Sequence, residues 1–288
     1  MTYLLAGISA GGQYALIAIG YTMVYGILRL INFAHSDVFM VAGLIVVYAN
    51  ATMPLYISIP LTIVLTVIIA FTIEKCAYKP LRSAPRMSVM ISAIGVSYLI
   101  QNVALYVTGG LPQDYPKVEW LARVVKITDN AKTNVVTLIT PLIVVVLVIA
   151  LVLLINKTKI GMAMRASSVD FETARLMGIK INNVISITFV IGAALAAVGS
   201  VLYFNNYPSV TPTSGAMPGL KAFVSAVVGG IGSIPGAVVG AFIIGICENL
   251  LKMAGLTAFS DAFTFALLIV ILCVKPSGIF GEKKTDKV

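Results

Sequence analysis

Two polar interruptions in an otherwise apolar chain hold the residues best suited to chemistry. The first, Arg29-Leu-Ile-Asn-Phe-Ala-His-Ser-Asp37, sets Asn32, His35, Ser36 and Asp37 close together and so offers an amide, an imidazole, a hydroxyl and a carboxylate. The second, Gly229-Gly-Ile-Gly-Ser-Ile-Pro-Gly236, offers mainly backbone. Gly229, Gly230 and Gly232 permit close approach to N–H and C=O groups, and Ser233 adds a hydroxyl. His35 has no second ligand at usable spacing, which argues against a metal centre. Either segment could line the path of a polar solute.

The elements that would position these residues are long apolar runs. A spanning helix needs about 20 mostly apolar residues, and 2–28, 87–107, 134–155 and 183–204 meet that length, with 56–73 slightly short. The composition agrees, with 59% hydrophobic and 11% charged residues, against about 25% charged in a soluble domain. An all-α polytopic membrane protein follows, a single domain over 1–288 with about eight transmembrane segments. The first run lacks a basic leader and a small-residue cleavage site and is expected to stay as a spanning helix.

The net charge of +9 does not require nucleic acid, because Lys and Arg collect in short connectors as they do on the cytoplasmic side of a bilayer. The connectors 74–86 and 156–181 are basic, as is the tail with Lys275, Lys283, Lys284 and Lys287. The connector 108–133 mixes signs, Asp129 included, and 205–218 carries no charge. The first group belongs inside and the second outside, which puts 29–31 inside and the N-terminus outside. A single crossing over 219–252 would leave the basic tail outside, so this stretch must turn back at its glycines, as a broken pair of half-length helices. Cys76, Cys247 and Cys273 have neither metal nor disulfide spacing.

Paired interrupted segments point to a transport site, and irregular backbone at membrane depth survives only where protein or water satisfies it. The same residues also fit plain interfacial turns, with Asn32 or Ser36 capping a helix and Arg29 snorkelling to headgroups. Glu74, Lys221, Glu248 and Lys252 all fall near expected segment ends, so no buried carboxylate chain is expected. That counts against a proton- or sodium-coupled carrier. Gly7-x-x-x-Gly11 and Gly236-x-x-x-Gly240 are expected to pack helices closely within the chain.

The connector 156–181 holds a short helix, from a start at Asp170 to a stop at Gly178, which could dock in a partner's groove or be a solvated loop. The segment Ile31-Asn-Phe-Ala-His-Ser-Asp37 after Gly20-Tyr-Thr-Met-Val-Tyr-Gly-Ile27, the loop from Gly161 to Gly178 and the break from Gly229 to Gly236 occur in one order along the chain. In these motifs the sequence resembles the inner-membrane permease of branched-chain amino acid ABC importers, of the LivH type. Ser36 stands where that family more often has glycine, and Thr173 where it has alanine.

The resemblance implies an ABC importer permease fold in a bacterial cytoplasmic (inner) membrane. It implies that Asp170, Glu172, Ala174 and Gly178, with Arg165 nearby, form the coupling helix that sits on an ATP-binding subunit. It also implies the partners: two ATP-binding subunits, a second related permease and an extracytoplasmic substrate-binding protein, with the bilayer around them. The chain has no Gly-x-x-x-x-Gly-Lys-Ser/Thr loop, so ATP belongs on the partner subunits and no cofactor is expected on this chain. The substrate carboxylate is expected at Ser233 and the amides after Gly230, and its ammonium group at Asn32 or Asp37. A stand-alone secondary carrier or channel is the alternative.

Overall fold

The computed structural model describes residues 2–82, 84–128 and 131–281; Asp129, Lys283, Lys284 and Lys287 lie outside them. The chain begins with α1 (Thr2–Leu28), α2 (His35–Asn50) and α3 (Leu55–Ile73), the last extended by a π-helical turn (Glu74–Tyr78) and a 3-10 turn (Lys79–Leu81). α4 (Arg86–Thr108) follows. A small outer segment comes next, with β1 (Gln113–Asp114), α5 (Glu119–Ala122) and the hairpin β2 (Val124–Thr128) and β3 (Ala131–Asn134). Then come α6 (Val135–Lys157), α7 (Lys159–Val169), α8 (Phe171–Leu176), α9 (Ile181–Asn206) and β4 (Ser209–Val210), which pairs antiparallel with β1. α10 (Ala216–Gly229), α11 (Ile234–Met253) and α12 (Ser260–Val274) complete the described chain.

Among the described residues, seven helical stretches are long and apolar enough to cross a membrane, and α2 and α10 are shorter apolar helices. The protein is therefore a multi-pass membrane protein. One expectation is corrected: only the first arm of the broken pair is short. The second, α11, has 20 residues and rises about 30 Å. Pro235 sits in its first turn, where a missing N–H leaves nothing unsatisfied, and Ser233 accepts a hydrogen bond from the Gly236 amide at 3.2 Å. The proline thus starts a helix rather than interrupting one.

α1 and α9 form the centre, with 72% of each apolar window buried, against 11–22% for α3, α4, α6 and α12. The outer helices leave apolar faces for lipid or other subunits. Both small-residue repeats pack helices of this one chain. A Cβ at Gly11 would lie 2.8 Å from the Phe242 Cα and one at Gly7 2.9 Å from the Ile246 Cα, so α1 and α11 touch backbone to backbone. Gly236 and Gly240 do the same for α11 against α10. In lipid, where apolar contact alone gives little preference, such approach lets dispersion hold helices together.

The ends of the elements define two faces. At one, the Arg29 guanidinium donates to the Ser168 carbonyl at 3.0 Å, Gly26 approaches Gly232, and the amides of Ile279 and Phe280 donate to Val228 and Gly229. This face carries the basic connectors, the charge pattern expected of a cytoplasmic side. The β1–β4 pair and the β2–β3 hairpin lie between helix ends at the other.

Candidate functional site

α1 ends where Arg29 adopts a left-handed backbone (φ 55°). The chain then folds back beside α1, and α2 starts at His35, packed on Gly20. Gly20 lies eight residues before the end of α1, about 12 Å at the helical rise. α2 therefore begins inside the apolar layer rather than at its boundary. Neither Asn32 nor Ser36 caps it: the N-cap is Ala34, without a side-chain bond, and the Ser36 hydroxyl donates to the Phe33 carbonyl at 3.2 Å.

Asn32, His35, Ser36 and Asp37 are all buried within the subunit. The Asn32 side-chain oxygen accepts a hydrogen bond from the Tyr78 hydroxyl. His35 faces the backbone of Gly20 and approaches Gly192 of α9. Its Nε2 finds no hydrogen-bond partner among the described residues, and it borders a void of about 10 Å³ shared with Asn32, Phe189 and Gly192. That is about the room one water needs. Asp37 accepts from the Ser97 hydroxyl at 2.5 Å and the Gln101 amide at 2.9 Å, both on α4.

Ser36 marks a junction that composition did not reveal. A Cβ at Gly215 or Gly219 would collide with Ser36, so the start of α10 abuts the start of α2. Two short helices thus begin at one depth and run toward opposite faces. Phe33 and Phe223 flank the junction at 6.5 Å between ring centroids. The usable signal was the turn-rich Thr211-Pro-Thr-Ser-Gly215 followed by Pro218 and Gly219, inside a connector valued only for its lack of charge.

Gly229, Gly230, Gly232 and Ser233 stand elsewhere, at the turn between α10 and α11 on the basic face. Ten residues, about 15 Å of helix, separate Gly229 from the Gly219 that meets Ser36. Gly230 (φ 110°) and Gly232 (φ 102°) hold backbone angles that side chains disfavour. A Cβ at Gly230 would lie 2.6 Å from the Gly281 amide nitrogen. Ser233 spends its hydroxyl on the α11 cap. The two groups of sequence-selected residues do not share one site.

Glu74 and Lys252 do stand at segment ends, after α3 and in the last turn of α11, but Glu74, Lys221 and Glu248 are buried and all four charges are paired. Lys221 contacts Glu248 at 2.9 Å and Asp261 at 2.8 Å, and Lys252 reaches the same Glu248 at 2.8 Å. Tyr14 donates to the other Glu248 oxygen at 2.9 Å. These contacts tie α1, α10, α11 and α12 together, because a charge withdrawn from water must be matched. Glu74, fully buried, pairs with Arg82 and accepts from Ser186 at 2.9 Å, which joins the end of α3 to α9.

The connector 156–181 forms two helices. Gly161 fits against the Ile155 backbone, Thr158 caps α7, and Arg165 braces α7 by donating to the Asn156 side chain at 2.8 Å. Asp170 caps α8, accepting from the Glu172 amide at 2.9 Å and from the Thr173 hydroxyl; these bonds hold its carboxyl below the usual carboxylate range. Ala174 is buried. Gly178 (φ 86°) closes the helix, with the Ile179 amide bonded to the Ala174 carbonyl at 3.1 Å, a C-terminal motif that favours glycine. Val169, Leu176 and Met177 protrude, 79–87% exposed, and they were not selected from sequence.

The family model for the branched-chain amino acid transport system / permease component matches residues 3–272. The chain belongs to this permease family. The match spans both breaks and the connector with α7 and α8. The chain is 39% identical to the high-affinity branched-chain amino acid transport system permease protein LivH of Escherichia coli, over 98% of this chain and 96% of that protein. It is 38% identical to the corresponding protein BraD of Pseudomonas aeruginosa, over 99% and 97%. A probable LivH of Methanocaldococcus jannaschii is 27% identical over 92% and 88%. A member of this family is a transport component, not an enzyme. The matched residues include those of the α2–α10 junction.

Proposed function

We propose that the chain is the permease subunit of an ATP-binding-cassette importer in a bacterial cytoplasmic membrane, carrying branched-chain amino acids or related small amino acids and amides. The observation that carries the reading is the likeness to LivH and BraD over at least 98% of this chain. The partners are two ATP-binding subunits that hold the ATP, a second related permease and an extracytoplasmic binding protein.

Support for the ATPase contact comes from α8. Asp170, Ala174 and Gly178 shape the helix and Arg165 braces its support, while Glu172, Leu176 and Met177 present charge and apolar surface to a groove on the ATPase. Arg29 ties α7, the helix just before α8, to the end of α1, so movement at α8 reaches the first break through α7. The pathway passes the α2–α10 junction, past Ser36, His35 and the Phe33 and Phe223 rings. Asn32 or Asp37 attracts the ammonium group and the start of α10 faces the carboxylate. Gly229, Gly230, Gly232 and Ser233 form its cytoplasmic end. Contacts this sparse suit a permease whose specificity rests in the delivery protein.

Reconstitution tests this reading. The chain co-purified with two ATP-binding subunits and supplied with its binding protein takes up leucine only with ATP. Uptake by the chain alone in ATP-free liposomes would instead establish the stand-alone carrier.

A further inference from the structure

Between α8 and the membrane helices lies a cavity of about 1000 Å³. Among the described residues, four basic ones line it, Arg29, Arg82, Arg175 and Lys180, against one acidic residue, Glu172. Arg82 is matched by Glu74. Arg29, Arg175 and Lys180 meet no carboxylate at ion-pair distance among the described residues. Like charges around a partly enclosed space repel one another, and such a space concentrates anions.

Three features select the anion. Arg29 follows α1, Arg82 follows the extended α3 and Lys180 precedes α9, so the charges stand at the cytoplasmic membrane boundary, level with inner-leaflet phosphates. Most of the remaining wall is apolar, including Leu28, Val89, Phe171 and Ile185, with Tyr78, Asn182 and Asn183 adding polar groups. The volume far exceeds that of a free phosphate and suits a headgroup with the upper part of its acyl chains. A transported amino acid is a zwitterion without net charge and would leave the excess cations unmatched. We propose that this cavity binds the phosphate headgroup of an acidic phospholipid from the cytoplasmic leaflet, which packs beneath α8. The lipid then sets how firmly α8 is seated on the membrane helices. This assignment is independent of which solute is carried.

The test uses the assembled transporter in nanodiscs of phosphatidylcholine with or without phosphatidylglycerol. Native mass spectrometry reads the lipid retained through delipidation, and hydrogen exchange reads protection of residues 171–178. Phosphatidylglycerol is retained in preference to phosphatidylcholine and slows exchange there. At about fivefold in affinity per Lys or Arg near an anionic surface, one substitution among Arg29→Gln, Arg175→Gln and Lys180→Gln lowers retention several-fold, and all three together about a hundredfold. The control Lys157→Gln with Lys159→Gln, exposed positions outside the cavity, leaves retention unchanged. An equal loss in that control, or no preference for phosphatidylglycerol, overturns the proposal. So does equal protection by inorganic phosphate in pure phosphatidylcholine, which would identify a free-anion site.

Discussion

The Tyr78 hydroxyl donates its proton to the side-chain oxygen of Asn32, joining the π-helical end of α3 to the point where the chain re-enters the apolar layer. The same ring packs against Phe189 at 5.3 Å and lines the cavity beneath α8. One side chain therefore touches both the first break and the space beneath α8. Tyr78→Phe keeps the ring and strands a buried acceptor, at a cost of about 1–3 kcal/mol. The expected result is less uptake per ATP hydrolysed in the reconstituted transporter. An unchanged ratio together with an unchanged melting temperature would remove Tyr78 from the coupling route.

His35 is seated by two glycines with unequal clearance. A Cβ at Gly20 would overlap the imidazole, whereas one at Gly192 would lie 3.4 Å from the Gly20 Cα and 3.6 Å from the ring. Gly20→Ala is expected to destabilise by about 1–3 kcal/mol through overpacking and to reduce transport, with Gly192→Ala close to wild type. Thermal unfolding in detergent and uptake assays on both variants check the order. The reverse order would mean that the ring lies elsewhere.

The buried ion network is also asymmetric. Glu248→Leu leaves Lys252 and the Tyr14 hydroxyl without their shared partner, an expected loss of about 3–5 kcal/mol. Lys221→Met leaves Glu248 matched by Lys252 and should cost less. Lower expression and melting temperature for Glu248→Leu than for Lys221→Met is the expected pattern, and equal losses would contradict it.

For α8, Leu176→Asp with Met177→Asp alters two exposed side chains and is expected to leave melting unchanged while abolishing co-purification with the ATP-binding subunits. Normal recovery of those subunits would refute the docking role.

The Asp170 cap gives a separate pH signature. Its carboxyl is held below the ordinary value of 3.8 by the Thr173 hydroxyl and the Glu172 amide, so the stabilisation is complete above that value and lost as pH falls through the lower folded one. Asp170→Ala should therefore speed amide exchange at Glu172 at neutral pH. The wild type should show the same loss only below about pH 3.8.

What was legible in the sequence was local. The start of α8 at Asp170 and its stop at Gly178 depend on bonds spanning only a few residues, and both appear as expected. The ends of α1, α4, α6 and α9 fall within two residues or so of the apolar runs, because a run long enough to span a bilayer has few other stable fates. The glycine-rich turn was legible as a turn. Its position was not, since that depends on chain around residue 280 bonding to Val228 and Gly229.

Alone, the sequence determined a multi-pass helical membrane protein, its basic face, two breaks and a capped helix between α7 and α9, because hydrophobic length, charge placement and capping act along the chain. Only the tertiary structure decided that Ser36 meets Gly219 rather than Ser233, that Lys221 and Glu248 face each other, and that a basic cavity lies under α8. Those relationships join residues dozens to nearly two hundred positions apart. They follow from which helix faces meet and from the need to match each buried charge; a small-residue repeat marks a face that can pack closely, but no local pattern names its partner.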